Sequence, residues 1–235
     1  MISKGFDIET KHQGKTPLHM AADCNQVNIV AQLLDYNANI NEQTDGNQST
    51  PLHIAAYQGH ADVAKLLLDR GTETEVKDEY NQTPLHIATD IENTEVVELL
   101  LEKNADTNSR DPDGNTPLHI ATKAGNKKII ELLLKNQANI DSRNAMGETA
   151  LHITAKSNQP DITTLLLSSN ANIGVKDRNK RTPYLTAFLL RNVDVINVLV
   201  KKGMNNENNP PQLQLEQERE GDDLINLLPK KGDRV

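Results

Sequence analysis

The chain has 235 residues, with 33 acidic against 25 basic side chains and a formal net charge of -8. That balance argues against nucleic acid or an anionic membrane as the main ligand, since both call for a basic footprint. Aromatic residues make up 3% of the chain and Trp is absent, so the core must be built from small aliphatic side chains in thin layers, as stacked repeats allow.

The first ten residues contain no apolar segment of the kind a secretory signal needs. Apolar runs anywhere in the chain stop at four residues, against the ~18 of a membrane-spanning helix. Cys24 is the single cysteine, which rules out an internal disulfide and fits a reducing compartment. These features predict a cytoplasmic protein.

From Lys11 onward a two-part pattern returns at a fixed interval. Thr-Pro-Leu-His begins at Thr16, Thr50, Thr83 and Thr116, and returns as Thr-Ala-Leu-His at Thr149 and Thr-Pro-Tyr-Leu at Thr182. The spacings are 34, 33, 33, 33 and 33 residues. Each copy is followed by an aliphatic run, such as Leu66-Leu67-Leu68 or Leu99-Leu100-Leu101. Thr before Pro predicts a helix start, because the hydroxyl can cap a free N–H and Pro has φ already set for the first helical position. A short helix with an Ala-rich face follows, as in Leu52-His53-Ile54-Ala55-Ala56. A polar break, Gln58-Gly59-His60 in the second copy, leads to a second helix over 62–69. These second helices are expected to end at residues suited to left-handed geometry, namely Asn37, Gly71, Asn104, Asn170 and Gly203. A polar reversing loop then leads to the next Thr.

On these motifs the chain resembles the ankyrin-repeat family, whose unit is a β-turn followed by two antiparallel helices. The resemblance covers about residues 11–205 and implies an all-α ankyrin-repeat solenoid. The predicted repeats are 11–44, 45–77, 78–110, 111–143, 144–176 and 177–205, with the extra residue of the 34-residue interval between Asn41 and Asp45. Residues 1–10 read as the remnant of a preceding repeat. Residues 206–235 read either as a degenerate seventh repeat that caps the stack or as an acidic tail, the first because 223–232 align without gaps on 194–203. Leu189 and Leu190 are expected to face that cap.

The five histidines of the motif, His19, His53, His86, His119 and His152, lie one repeat apart, a ladder and not a metal-binding cluster, since packed helices stand roughly 8–10 Å from one another. They are expected to tie each hairpin to its helix. Cys24 has only His19, a member of that ladder, as a candidate base, and no phosphate loop, nucleophile elbow or paired carboxylates occur. A non-catalytic, cofactor-free and metal-free monomer is therefore predicted.

The resemblance implies a partner protein bound in a concave groove by hairpin tips and by residues after the inner-helix Ala pair. The positions of this sequence carried over are Tyr57, Lys77, Tyr80, Ile91, Lys123, Arg143, Met146, Lys156, Arg178 and Arg181. Tyr57, Tyr80 and Ile91 form a candidate apolar hot spot. Arg110, Lys123, Arg143, Lys156, Lys176, Arg178, Lys180 and Arg181 form a basic half suited to an acidic segment of the partner. The alternatives are a targeting or regulatory domain of a larger multidomain protein, or a secreted bacterial effector acting on host proteins. The effector reading draws on the acidic stretch Glu216-Gln-Glu-Arg-Glu220.

Overall fold

The computed structural model describes residues 7–204. Residues 1–6, the proposed C-terminal cap or tail and the acidic stretch at 216–220 lie outside them. Among the described residues twelve helices follow one another in pairs: α1 (Pro17–Asp23), α2 (Val27–Asp35), α3 (Pro51–Gln58), α4 (Ala61–Asp69), α5 (Pro84–Asp90), α6 (Thr94–Glu102), α7 (Pro117–Ala124), α8 (Lys127–Lys135), α9 (Ala150–Ser157), α10 (Pro160–Ser168), α11 (Pro183–Leu189) and α12 (Val193–Met204). Among the described residues there is no sheet, only an isolated bridge between His12 and Lys15. The all-α repeat stack expected from the sequence is therefore the observed architecture.

Helices of seven to nine residues, as all but the twelve-residue α12 are, are too short to persist alone in water. Stacking makes them stable: the odd-numbered helices pack in one row, and each packs against the outer helix that follows it. The buried core repeats one recipe, with Leu18, Leu52, Leu85, Leu118 and Leu151 at one level and Ala21, Ala55, Ala88 and Ala121 at another. Alanines at these places let neighbouring helices approach closely, which explains a core with almost no aromatic residues. At the N-terminal edge Ile8 packs against this core, as Ile40, Ile140 and Ile173 do further along.

Each inner helix begins as its sequence predicts. Thr16, Thr50, Thr83, Thr116 and Thr149 are extended N-caps, followed by Pro in all but the last. The outer helices end in left-handed residues, with φ of 64° at Asn37, 82° at Gly71, 60° at Asn104, 65° at Gln137 and 65° at Asn170. Gly203 departs from the expectation, since α12 runs through it to Met204.

The extra residue of the first interval lies elsewhere than expected. In the third hairpin the Asp78 N–H donates to the Gln82 carbonyl, four residues on. In the second the Thr44 N–H donates to Ser49, five residues on, and Thr44 Oγ1 accepts from the Ser49 N–H at 3.0 Å. Thr44 thus takes the place of Asp78, and the insertion sits in the hairpin tip between Thr44 and Ser49. A tip loop absorbs an added residue without shifting either helix.

Candidate functional site

The hairpins and inner helices are locked together by the motif histidines. In each of the first five repeats the Thr backbone N–H donates to the imidazole Nδ1 three residues on, at 3.1–3.3 Å. Nδ1 therefore carries no proton, and Nε2–H is the donor. It reaches a carbonyl of the following hairpin: Ser49 from His19 at 3.1 Å, Gln82 from His53 at 3.1 Å, Asn115 from His86 at 3.3 Å, Glu148 from His119 at 3.0 Å and Arg181 from His152 at 2.9 Å. Burial holds all five below the ordinary histidine value, against the opposing pull of these carbonyls. The rings serve as neutral struts between repeats. Leu185 stands in the sixth copy of this slot.

A second row of side chains runs across the hairpins. The Lys11 ammonium donates to the Gln43 carbonyl, the Gln43 amide to Lys77, the Lys77 ammonium to Arg110, and the Arg110 and Arg143 guanidinia to Arg143 and Lys176 in turn. Backbone bonds join the tips as well: the N–H of Asp45 donates to Gly14, Glu79 to Asn47, Ala145 to Asp113 and Arg178 to Met146. The corresponding residue between the third and fourth hairpins is Pro112, which has no N–H to give.

On the face formed by tips and inner helices, Tyr57, Tyr80 and Ile91 come together. They line one hollow of about 400 Å³, floored by Ile54 and Ile87 and edged by Asp90. The two tyrosines are 65% and 59% exposed. The Tyr80 hydroxyl is held above its usual pKa by its hydrogen bond to Glu79. The floor residues Ile54 and Ile87 are not among the positions carried over from the family resemblance, and Ile87 is itself buried in the core. The sequence signal that marks them is an apolar residue four positions after each of the first five motif Thr residues, Met20, Ile54, Ile87, Ile120 and Ile153.

The basic positions do not form one free patch. Lys156 pairs with Glu148 at 2.6 Å, and Arg181 pairs with Asp177 at 3.0 Å. Burial raises the Asp177 pKa, but the Arg181 N–H and guanidinium outweigh it and hold the carboxyl below its usual value. Lys77 and Arg143 belong to the carbonyl row just described. The side chains of Lys123, Arg178 and Lys180 are exposed and make no hydrogen bond or ion pair among the described residues. Met146 is 62% exposed at its hairpin tip. Leu189 and Leu190 are 54% and 52% exposed among the described residues.

Among the described residues no group of His, Cys, Asp or Glu could hold a metal ion, and no helix is long and apolar enough to cross a membrane.

A family model for ankyrin repeats matches the chain in three copies, over residues 1–78, 70–144 and 136–210. Among curated proteins, the ARF GTPase-activating protein Git of Drosophila melanogaster is 43% identical over 70 residues, 29% of this chain and 9% of its own length. Alpha-latrocrustotoxin-Lt1a of Latrodectus tredecimguttatus is 35% identical over 81 residues, 34% of this chain and 6% of its own. Rabankyrin-5 of Mus musculus is 35% identical over 77 residues, 32% of this chain and 6% of its own. The matched stretch is thus under a tenth of each of these relatives.

Proposed function

The chain belongs to the ankyrin-repeat family, a non-catalytic interaction fold whose members generally bind partner proteins, and from that premise we propose that it is a binding module, not an enzyme, which holds a segment of a partner protein on the face formed by its hairpin tips and inner helices. One observation carries the reading: Tyr57 and Tyr80 stand more than half exposed around a shared hollow with an aliphatic floor and a polar rim, at positions the stack does not need to fill. Large rigid side chains around a desolvated pocket are the usual anchors of a protein interface. Lys123, Arg178 and Lys180 supply unengaged positive charge further along the same face, able to steer an acidic stretch of the partner.

A second reading is favoured by the short share of each relative that is matched. In it the module targets or regulates a larger multidomain protein, by the same face.

A photo-crosslinking residue at position 57, compared with one at position 131 on outer helix α8, tests the proposal in cells that make the protein. Adducts from position 57 are expected. Adducts from position 131 alone would move the site to the outer helices and overturn the reading.

A further inference from the structure

Charge along one slot of the inner helices singles out the centre of the face. The slot seven residues after each motif Thr holds Asp23, Tyr57, Asp90, Lys123 and Lys156 in the first five repeats. Asp23 is taken by Lys15 at 2.7 Å and by the Gln58 amide at 2.7 Å. Lys156 is taken by Glu148 at 2.6 Å. Asp90 and Lys123, in adjacent repeats, are both exposed, and their side chains have no ion pair or hydrogen bond among the described residues. The outer charges of the row are neutralised internally, and the inner two are left as an open negative–positive doublet.

The negative member edges the tyrosine hollow. Of the three carboxylates that line the hollow, Asp23 is held by Lys15 and Gln58, and Asp78 by the Tyr80 and Gln82 N–H groups. An aliphatic floor, two phenol walls and one unpaired carboxylate, Asp90, suit a side chain with an apolar stem and a planar cationic head. A guanidinium can stack on an aromatic face while its donors meet a carboxylate in a fork. An ammonium would meet the carboxylate as a point charge without that stacking. Beyond the hollow, Lys123 asks for an anion one repeat further on. Packed helices lie about 8–10 Å apart, and an extended chain rises about 3.3 Å per residue, so the two contacts fall about three residues apart.

Resting on the binding face proposed above, we infer that it takes an extended segment of a partner protein with an arginine between Tyr57 and Tyr80 against Asp90, and an acidic residue about three positions away against Lys123. The segment is recognised as a charge pair of fixed order, with its apolar burial at the arginine stem.

A displayed library of random twelve-residue peptides, selected against the full chain, tests this. Enriched peptides should carry an arginine and an acidic residue about three positions apart. Asp90→Lys should weaken them at least tenfold and select acidic residues at the arginine position. Lys123→Glu should do the converse at the other position, and the doubly reversed variant should select the reversed pair. Both sites are exposed, so unchanged melting of the variants is the control for folding. Peptides that lose binding in Tyr57→Ala but are indifferent to both reversals would overturn the charge pair and leave the binding face standing. No enrichment, or peptides insensitive to Tyr57→Ala, would overturn both.

Discussion

Glu148 and Lys156 meet at 2.6 Å with the glutamate side chain almost wholly buried and the lysine side chain 42% exposed. The same two slots of the first repeat hold the same pair with its charges exchanged, Lys15 and Asp23 at 2.7 Å. One backbone geometry therefore accepts the ion pair in either sense, and its stabilising value depends on complementarity and not on which partner sits in the hairpin.

Reversing the pair in the fifth repeat puts this to the test. Lys156→Ala should cost about 1–2 kcal/mol, because Glu148 would keep its burial and lose its cation, discounted for the exposure of the lysine. Glu148→Lys and Lys156→Glu should each cost more, and the double exchange should recover most of the loss. Urea denaturation of the four variants gives the coupling energy. Additive losses would show that the pair contributes nothing.

The histidine row makes stability depend on pH. Burial holds all five imidazoles below the ordinary 6.5, so between the folded and unfolded values the unfolded chain binds more protons. Their contribution is complete above 6.5 and is lost as pH falls below it towards the folded values, each ring steepening the slope by at most about 1.4 kcal/mol per pH unit. Asp23, Asp69 and Asp177, held below 3.8, add their loss only at still lower pH. Urea midpoints at pH 7.5 and 5.5 should therefore differ, and His119→Gln should flatten the difference. A midpoint constant over that range would contradict the neutral-strut assignment.

Gln137 holds φ at 65° where α2, α4, α6 and α10 end in Asn or Gly, and its side chain makes no hydrogen bond among the described residues. A left-handed non-Gly residue costs about 1–2 kcal/mol, and a glycine costs about 0.5–1 kcal/mol in the unfolded chain. Gln137→Gly should stabilise by about 0.5 kcal/mol, read as a higher urea midpoint with unchanged slope.

For a segment recovered by selection, Tyr57→Ala and Tyr80→Ala should each weaken binding roughly 30-fold, the loss typical of an interface anchor, while melting stays unchanged. Losses below about threefold for both would demote them to rim contacts. Arg178→Glu should slow association with an acidic ligand more than Arg181→Glu does, since Arg181 is already engaged by Asp177 at 3.0 Å. Stopped-flow rates against salt concentration separate the two.

The repeat was legible because its signals are local. Thr16, Pro17 and His19 cap their helix within one turn, and Asn37 or Gly71 ends one within a residue. What escaped reading spans distance. Lys156 meets a carboxylate eight residues away across a helix start, and Arg143 reaches a carbonyl 33 residues on, so both read as free surface cations from composition alone. Ile54 packs against the core and Ile87 lies in it, and both also floor the hollow, a second role that the sequence letter does not show. The insertion at Thr44–Ser49 was misplaced because both sides of it are polar and equally tolerant.

Pro112 interrupts the row of tip-to-tip bonds between the third and fourth hairpins, which are otherwise joined at every junction from Gly14–Asp45 to Met146–Arg178. The tips behave like a zipper missing one tooth at its middle, with the Asp90–Lys123 doublet straddling the gap. Among the described residues, the Lys77 ammonium and the Asn81 amide still reach the Arg110 carbonyl across that junction, but without the backbone bond the stack is expected to bend most cheaply there, each half moving as a stiff unit. Distances between spin labels at positions 47 and 113 should accordingly spread more widely than those between 113 and 178, which span the same number of junctions, and Pro112→Ala should narrow the former by restoring a donor.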